Sequence, residues 1–374
     1  MKKILQISNY YPPHIGGIEQ TAKDIVNSCS KEFQIKTLCF NGNKGTIDDN
    51  YNGADVVRVN IDKMAGSQQL SFDFGKTLKK VMNEYKPDIV IFNYPNPFQA
   101  HYLKKYLKHK TFKFVIWWHL DITKQIVLAK LFTSQNKFLL NKADKIVATS
   151  PNYIEGSKWL SQHKDKCVII PSCVDEFRMQ YSDDTIKKSI EIKNKYNNKH
   201  IIFSCGRHVE YKGIKYLVEA SKYLSNDYKI LIGGQGALTE SLKKEALGDL
   251  KIEFLGRISD EDLKAYLLAC DIFAFPSITK NEAFGLSLAE ALYYGKPAVT
   301  FTIEGSGVNF VNLNNVTGLE VANKDSKALS EAIVKIADDK ELYATLSENA
   351  KKRTKELLSF SKFKENVLNL LKTL

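Results

Sequence analysis

With 374 residues, 44% hydrophobic and 26% charged, the chain exceeds one ordinary core and suits two globular domains of roughly 150–200 residues. Its net charge of +12 falls wholly within residues 1–200, which hold 31 Lys and Arg against 19 Asp and Glu, while residues 201–374 hold 23 of each. An anionic partner is therefore expected for the first half. No finger, RNP or arginine-rich pattern supports nucleic acid as that partner, and no apolar run reaches the roughly 20 residues of a membrane span.

Met1-Lys2-Lys3 leads directly into Ile4-Leu5-Gln6-Ile7-Ser8, too short for a signal-peptide core and better read as a first strand. Further strands are expected at Ile35–Phe40, Val56–Val59, Ile89–Asn93, Phe112–Trp118, Lys145–Thr149 and Cys167–Ile170. Helical patterns lie between several of them, at Ile18–Ser30, Gly75–Glu84, Phe98–Lys108, Ile126–Leu140 and Asn152–Leu160. Short apolar strands alternating with amphipathic helices imply a parallel, doubly wound sheet, with ligands beyond the carboxyl ends of its strands. Around Pro171–Lys199 the pattern loosens into a polar, lysine-rich segment.

A second alternating set follows, with strands at His200–Cys205, Tyr228–Ile232, Ile252–Leu255, Ile272–Phe275 and Ala298–Phe301. Its helices are expected at Ile214–Tyr223, Leu238–Leu247, Asp260–Leu268, Phe284–Tyr294, Ser326–Ile336 and Lys340–Lys355. The fold class is thus α/β, two Rossmann-like doubly wound domains facing across a cleft, 1–175 and 176–361, with a last helix at 362–374 that completes the first. The six cysteines (Cys29, Cys39, Cys167, Cys173, Cys205, Cys270) lie in apolar segments without CxxC spacing and read as reduced, buried thiols of a cytosolic protein.

Residues 101–150 carry ten Lys against two Asp, which suits an anionic membrane surface or a phosphate-bearing lipid acceptor. Within them, Tyr102, Leu103, Tyr106 and Leu107 fit either an interfacial helix or the core face of an ordinary one.

Chemistry concentrates in the loops. Gly16-Gly17, just before a helix, lets backbone N–H groups face a phosphate without a Cβ clash. His119 and Asp121 follow an apolar strand, a position that raises the functional reading of the histidine. In Gly206-Arg207-His208-Val209-Glu210-Tyr211-Lys212-Gly213, a guanidinium and an ammonium leave a strand end and suit a diphosphate. Gly233-Gly234-Gln235-Gly236 resembles the start of a dinucleotide fingerprint, but position 239 is Thr, so a turn near the site is expected rather than an NAD site. Gly256-Arg257-Ile258 suits backbone contacts to a base.

The most informative stretch runs from Asn281 to Pro297. Glu282 sits in a loop, Gly285 lets a ligand approach a helix start that favours phosphate, and Glu290 lies within the helix. There is no HExxH, Walker lysine, GxSxG elbow or cluster of metal ligands.

Together the Gly16-Gly17 loop, His119, Arg207 with Lys212-Gly213, and Glu282-x7-Glu290 around Phe284-Gly285 resemble retaining glycosyltransferases of the GT-B fold, family 4. The resemblance implies that Glu282 contacts donor-sugar hydroxyls and Glu290 holds the nucleotide ribose. Arg207 and Lys212 would bind the diphosphate with backbone N–H groups of Gly17, Leu286 and Ser287, and His119 would orient the donor sugar. It also implies that no bound metal or other cofactor is needed beyond the nucleoside-diphosphate sugar. His119-Leu120-Asp121-Ile122-Thr123-Lys124-Gln125 is similar to a form seen in bacterial surface-polysaccharide enzymes, several of them mannosyltransferases. Asn309 and Phe310 depart from the family's common Pro-Glu pair, so donor contacts from that loop do not follow from the resemblance.

The implied reaction moves a hexose from GDP-mannose or a UDP-hexose to a glycan or polyprenyl-linked glycan acceptor, in the cytoplasm, with possible peripheral membrane contact. A sugar-nucleotide epimerase and a non-enzymatic sugar-nucleotide-binding subunit are the rival readings. No carboxylate can be placed as a nucleophile on the sugar's far face, which favours front-face substitution over double displacement.

Overall fold

The computed structural model describes residues 1–42, 45–66, 68–122 and 126–374, with the side chains of 126–131 also left out. Thr123, Lys124 and Gln125, part of the mannosyltransferase-like stretch, lie outside the described residues. The chain divides into two compact units, Met1–Ser172 with Ser361–Leu374, and Cys173–Phe360.

The first unit runs β1 (Lys3–Ile7), α1 (Gly17–Cys29), β2 (Gln34–Phe40), β3 (Ile47–Tyr51), β4 (Ala54–Val59), β5 (Lys63–Ala65), β6 (Gln68–Leu70), α2 (Phe74–Tyr85), β7 (Ile89–Tyr94), α3 (Pro97–Leu107), β8 (Lys113–Trp118), α4 (Ile126–Lys142), β9 (Lys145–Ala148), α5 (Pro151–Gly156) and β10 (Cys167–Ile169). Its main sheet has the order β10-β9-β8-β7-β1-β2-β4-β3. The central strands are continuous apolar runs, every residue of β7 being buried, as expected where helices cover both faces. Strand order reverses between β1 and β7, whose pairing sets Ile4 beside Ile89. Two features depart from the all-parallel expectation. β3 pairs antiparallel with β4 at the edge, and β5 and β6 form a separate hairpin.

The second unit runs α6 (Asp183–Lys195), β11 (His200–Cys205), α7 (Ile214–Ala220), β12 (Tyr228–Gly233), α8 (Thr239–Glu245), β13 (Ile252–Gly256), α9 (Asp260–Ala269), β14 (Ile272–Phe275), α10 (Leu286–Tyr293), β15 (Ala298–Phe301), α11 (Val308–Val311), β16 (Gly318–Val321), α12 (Ser326–Asp338) and α13 (Lys340–Leu357). Its sheet, β13-β12-β11-β14-β15-β16, is parallel throughout and reverses direction between β11 and β14. In a doubly wound sheet that reversal opens a crevice beyond the strand ends where ligands bind. Phe203, Phe273, Leu288 and Leu292 are fully buried in the core beneath it. A final helix, α14 (Phe360–Lys372), groups with the first unit, its Phe363 ring 5.9 Å from Trp117.

The segment expected to be loose holds α6. Ser182 caps it through a reciprocal capping box with Thr185, and Asp183 and Asp184 place negative charge in its first turn. In α3 the apolar side chains turn inward: Leu103 and Leu107 are fully buried, and Tyr102 packs 5.1 Å from Phe98. What that helix leaves exposed is His101 and Lys105, followed by Lys108 and His109. Among the described residues no helix is long and apolar enough to cross a membrane.

Candidate functional site

In the second unit, the site forms at the strand ends flanking the reversal. Beyond β11, the turn Gly206–Gly213 is held by its neighbour beyond β12. Gly206 N–H donates to the Gly233 carbonyl at 3.1 Å, His208 N–H to Gln235 at 3.1 Å, and Leu238 N–H to His208 at 3.0 Å. His208 is buried, and its Nδ1 lies 3.0 Å from the Thr239 hydroxyl. The two turns meet so closely that a Cβ on Gly234, whose φ is +112°, would stand 1.9 Å from the Gly206 carbonyl oxygen. The glycine-rich run is thus a brace for the Arg207–Lys212 turn. Ile258 packs against the same brace, its Cδ1 3.1 Å from where a Gly233 Cβ would stand.

Arg207 is exposed, with Nη2 donating to the Tyr211 hydroxyl at 3.1 Å. Lys212 reaches inward to an ion pair with Oε2 of Glu282, and its Nζ lies 4.9 Å from the centroid of the Phe275 ring. The side chains of this pair are only 15% and 12% exposed. Glu282 Oε2 also accepts from Ser277 at 3.4 Å, and the Glu282 carbonyl accepts from the buried Ser306 hydroxyl at 2.5 Å. The Lys212 and Ser277 interactions both run through Oε2 rather than Oε1 of Glu282.

α10 begins at Leu286, two residues later than expected, because Gly285 adopts φ +94°. Phe284 is buried in the apolar core, so only its backbone is available to a ligand. No side chain caps this helix start, which leaves the N–H groups of Leu286 and Ser287 as orphan donors aimed beyond the strand ends. The Ser287 hydroxyl donates to the Cys205 carbonyl at 3.2 Å, docking the first helical turn onto the end of β11. One turn later, Glu290 is 12% exposed at its side chain and pairs with Arg178. Burial pushes its carboxyl above the usual range, opposed by Arg178.

Arg207, Lys212, Ile258, Glu282, Gly285, Leu286, Ser287 and Glu290 therefore meet on one unit. Gly16, Gly17 and His119 belong to the other. There, Gly17 opens α1, and the carboxylate of Glu19 lies 2.2 Å from where a Gly16 Cβ would stand, so this helix start already faces an acid of its own chain. His119 is buried at the end of β8, and burial pushes its ring pKa down to about 3. Its Nε2 lies 2.9 Å from Asn93 Oδ1, while Asn93 Nδ2 donates to the Ile7 carbonyl at 3.4 Å. That orientation makes Nε2 the protonated nitrogen and leaves Nδ1 an acceptor. Asp121 is committed to structure, accepting from Trp118 Nε1 at 3.0 Å and the Ser157 hydroxyl at 2.8 Å.

Sequence reading missed Arg178, Ser277 and Ser306. Arg178 lies 112 residues from Glu290, and no local signal connects them. Ser306 falls in the loop where the family pattern is broken. Asn309 closes that loop by accepting from Ile303 N–H at 2.8 Å and donating to the Phe301 carbonyl at 3.1 Å. Among the described residues no group of three or more His, Cys, Asp or Glu could hold a metal ion.

Two family models match the chain, Glycosyltransferase Family 4 over residues 15–178 and Glycosyl transferases group 1 over residues 185–353. An O-antigen chain mannosyltransferase C of Escherichia coli is 28% identical, with 100% of this chain and 99% of that protein covered. The D-rhamnosyltransferase WbpZ of Pseudomonas aeruginosa is 29% identical, covering 94% and 90%. Among solved structures, Anabaena Alr3699/HepE in complex with UDP and glucose superposes with a TM-score of 0.80 at 17% identity over the whole of both chains. With a family 4 glycosyltransferase match on its first unit and a group 1 glycosyltransferase match on its second, the chain is a glycosyltransferase of the GT-B fold.

Proposed function

We propose that this glycosyltransferase moves a hexose, with retention of anomeric configuration, from a nucleoside-diphosphate sugar to a glycan or lipid-linked glycan acceptor in surface polysaccharide synthesis. GDP-mannose and UDP-hexoses are the donors to test first, since the similar proteins of known name include an O-antigen mannosyltransferase and a solved structure holding UDP and glucose. The observation that carries the reading is the Lys212–Glu282 ion pair beside the uncapped start of α10. It puts cation, acid and orphan N–H donors together at a strand reversal, which suits a diphosphate joined to a sugar.

In this reading Arg207, Lys212 and the N–H groups of Leu286 and Ser287 stabilise charge as the bond from the anomeric carbon to the diphosphate breaks. Glu282 holds donor-sugar hydroxyls through Oε1, and Glu290 holds the ribose. The acceptor oxygen bonds to the anomeric carbon from the face the diphosphate leaves, and its proton passes to a departing phosphate oxygen. His119, neutral at working pH, accepts a hydrogen bond from the donor sugar at Nδ1. The two cationic side chains supply the charge a divalent cation gives elsewhere, so turnover needs no metal. Contact with the inner face of the cytoplasmic membrane is proposed to be electrostatic, through the exposed lysines around α3.

The test is a donor panel of GDP-mannose, UDP-glucose, UDP-galactose and UDP-N-acetylhexosamines, with and without excess chelator, read by mass spectrometry. Chelator-insensitive hexose transfer supports the reading. Conversion of a donor to its epimer with no acceptor present, or donor binding without turnover over a broad acceptor panel, overturns it.

A further inference from the structure

Glu290 does not stand alone above the end of β11. Arg178, from the segment preceding α6, turns its guanidinium into a bridge: Nη2 pairs with Glu290 Oε1, and Nη1 donates to Asp260 Oδ1 at 3.2 Å. The backbone carrying Arg178 is itself fixed. Its N–H donates to Asp175 Oδ1 at 3.1 Å, and the next carbonyl, of Met179, accepts from the Tyr294 hydroxyl at 2.8 Å. Tyr294 closes the helix that carries Glu290, so the arginine and its acid share one frame. The ion pair with Arg178 runs through Oε1 of Glu290, the other carboxylate oxygen being Oε2.

We infer that Arg178 is a positioning residue for nucleotide recognition: by binding one oxygen of Glu290 and anchoring on Asp260, it aims the other oxygen at the ribose hydroxyls and so sets the preference for ribonucleotide over deoxyribonucleotide donors. A planar fork held by two acids has its own plane fixed, and so the direction from which it binds Glu290 Oε1, which a single point charge cannot do. Burial pushes this carboxyl above its usual range, and Arg178 opposes that push. The groups facing Glu290 are Arg178, Asp260, Asp175, Cys205 and Tyr294, and Arg178 is the cation among them. The inference rests on the reading of Glu290 as the ribose acid, and the experiment separates the two.

Binding of the diphosphates of guanosine, uridine, adenosine and cytidine to the full chain is measured by calorimetry, and the tightest is compared with its 2′-deoxy counterpart. The wild type is expected to prefer the ribonucleotide by about tenfold, the worth of one hydrogen bond to a charged group. Glu290→Gln should largely abolish that preference. Arg178→Ala should reduce it to about threefold or less while the deoxynucleotide still binds, and should make ribonucleotide binding weaken further as pH falls and Glu290 takes up a proton. Arg178→Lys, which keeps the charge and protects folding, should bind the nucleotide with a ratio between those of the wild type and Arg178→Ala.

A Glu290→Gln variant with the full wild-type ratio overturns the ribose reading and the inference with it. Loss of the ratio in Glu290→Gln, with a wild-type ratio in Arg178→Lys and in Arg178→Ala where it folds, overturns the inference alone. A protein that binds none of the four nucleotides overturns both.

Discussion

Replacing Lys212 by Met removes the charge while keeping the length of the side chain that lies over Phe275. Two losses follow. Breaking a fully buried ion pair by deleting one partner costs about 3–5 kcal/mol, because the other charge is stranded. Here both side chains retain 15% and 12% exposure, and Ser277 still donates to Glu282, which reduces the stability loss to about 1–3 kcal/mol. Catalysis should lose more than stability does. Removing one preorganised group from a developing negative charge costs about 10²–10³ in rate. With Arg207 still in place, the floor is about tenfold in kcat/KM, or about 1.4 kcal/mol of transition-state stabilisation.

The assay is steady-state kcat/KM with the donor found in the panel, beside urea unfolding of each variant. A double change, Lys212→Met with Glu282→Gln, discriminates further. It should recover stability relative to Lys212→Met, since neither charge is then stranded, but it should not recover activity. Full activity in Lys212→Met, or recovery of activity in the double variant, would refute the assignment of this pair to the reaction centre.

Four other outcomes are expected. Gly234→Ala should raise the donor KM at least about fivefold, because its Cβ would drive into the Gly206 carbonyl and displace Arg207; Gly248→Ala, with φ +85° and open space around it, carries similar backbone strain and should leave the donor KM unchanged. His119→Asn should lower kcat/KM without changing its pH profile between about 5 and 8, because a ring held near 3 does not titrate there. For the same reason the unfolded chain binds more protons than the folded one between about 6.5 and 3, so stability should fall as pH drops through that window, and less steeply in His119→Asn. Flotation with anionic liposomes should show binding at low salt that is lost at high salt; no binding at low salt removes the membrane proposal.

The fold class was legible because the central strands are continuous apolar runs between amphipathic helices, a pattern that burial on both faces imposes. Elements that escaped lack that imprint. β3 reads Ile47-Asp48-Asp49-Asn50-Tyr51, a polar edge strand with no residue fully buried. α6 buries Thr185, Ser189 and Ile192, two of them polar, while Ile186 and Ile190 are 40% and 53% exposed. Its hydrophobic periodicity therefore points the wrong way, and the capping pair Ser182 and Thr185 was the available signal. At the candidate site, each loop announced itself by glycine and charge beside a strand end. The ion pairs between loops did not. Lys212 meets Glu282 because the second sheet sets β11 beside β14, and Arg178 meets Glu290 because Tyr294 ties the segment before α6 to the end of α10.

The central claim is transfer with retention through a front-face departure of the diphosphate. The direct measurement is proton NMR of the product formed from an anomerically pure donor, reading the anomeric coupling of the new glycosidic bond, or the one-bond carbon–proton coupling for a manno-configured sugar. An α-linked product from an α-linked donor is the predicted result. A β-linked product would contradict the account, since it requires attack from the opposite face, where none of the residues placed here would act.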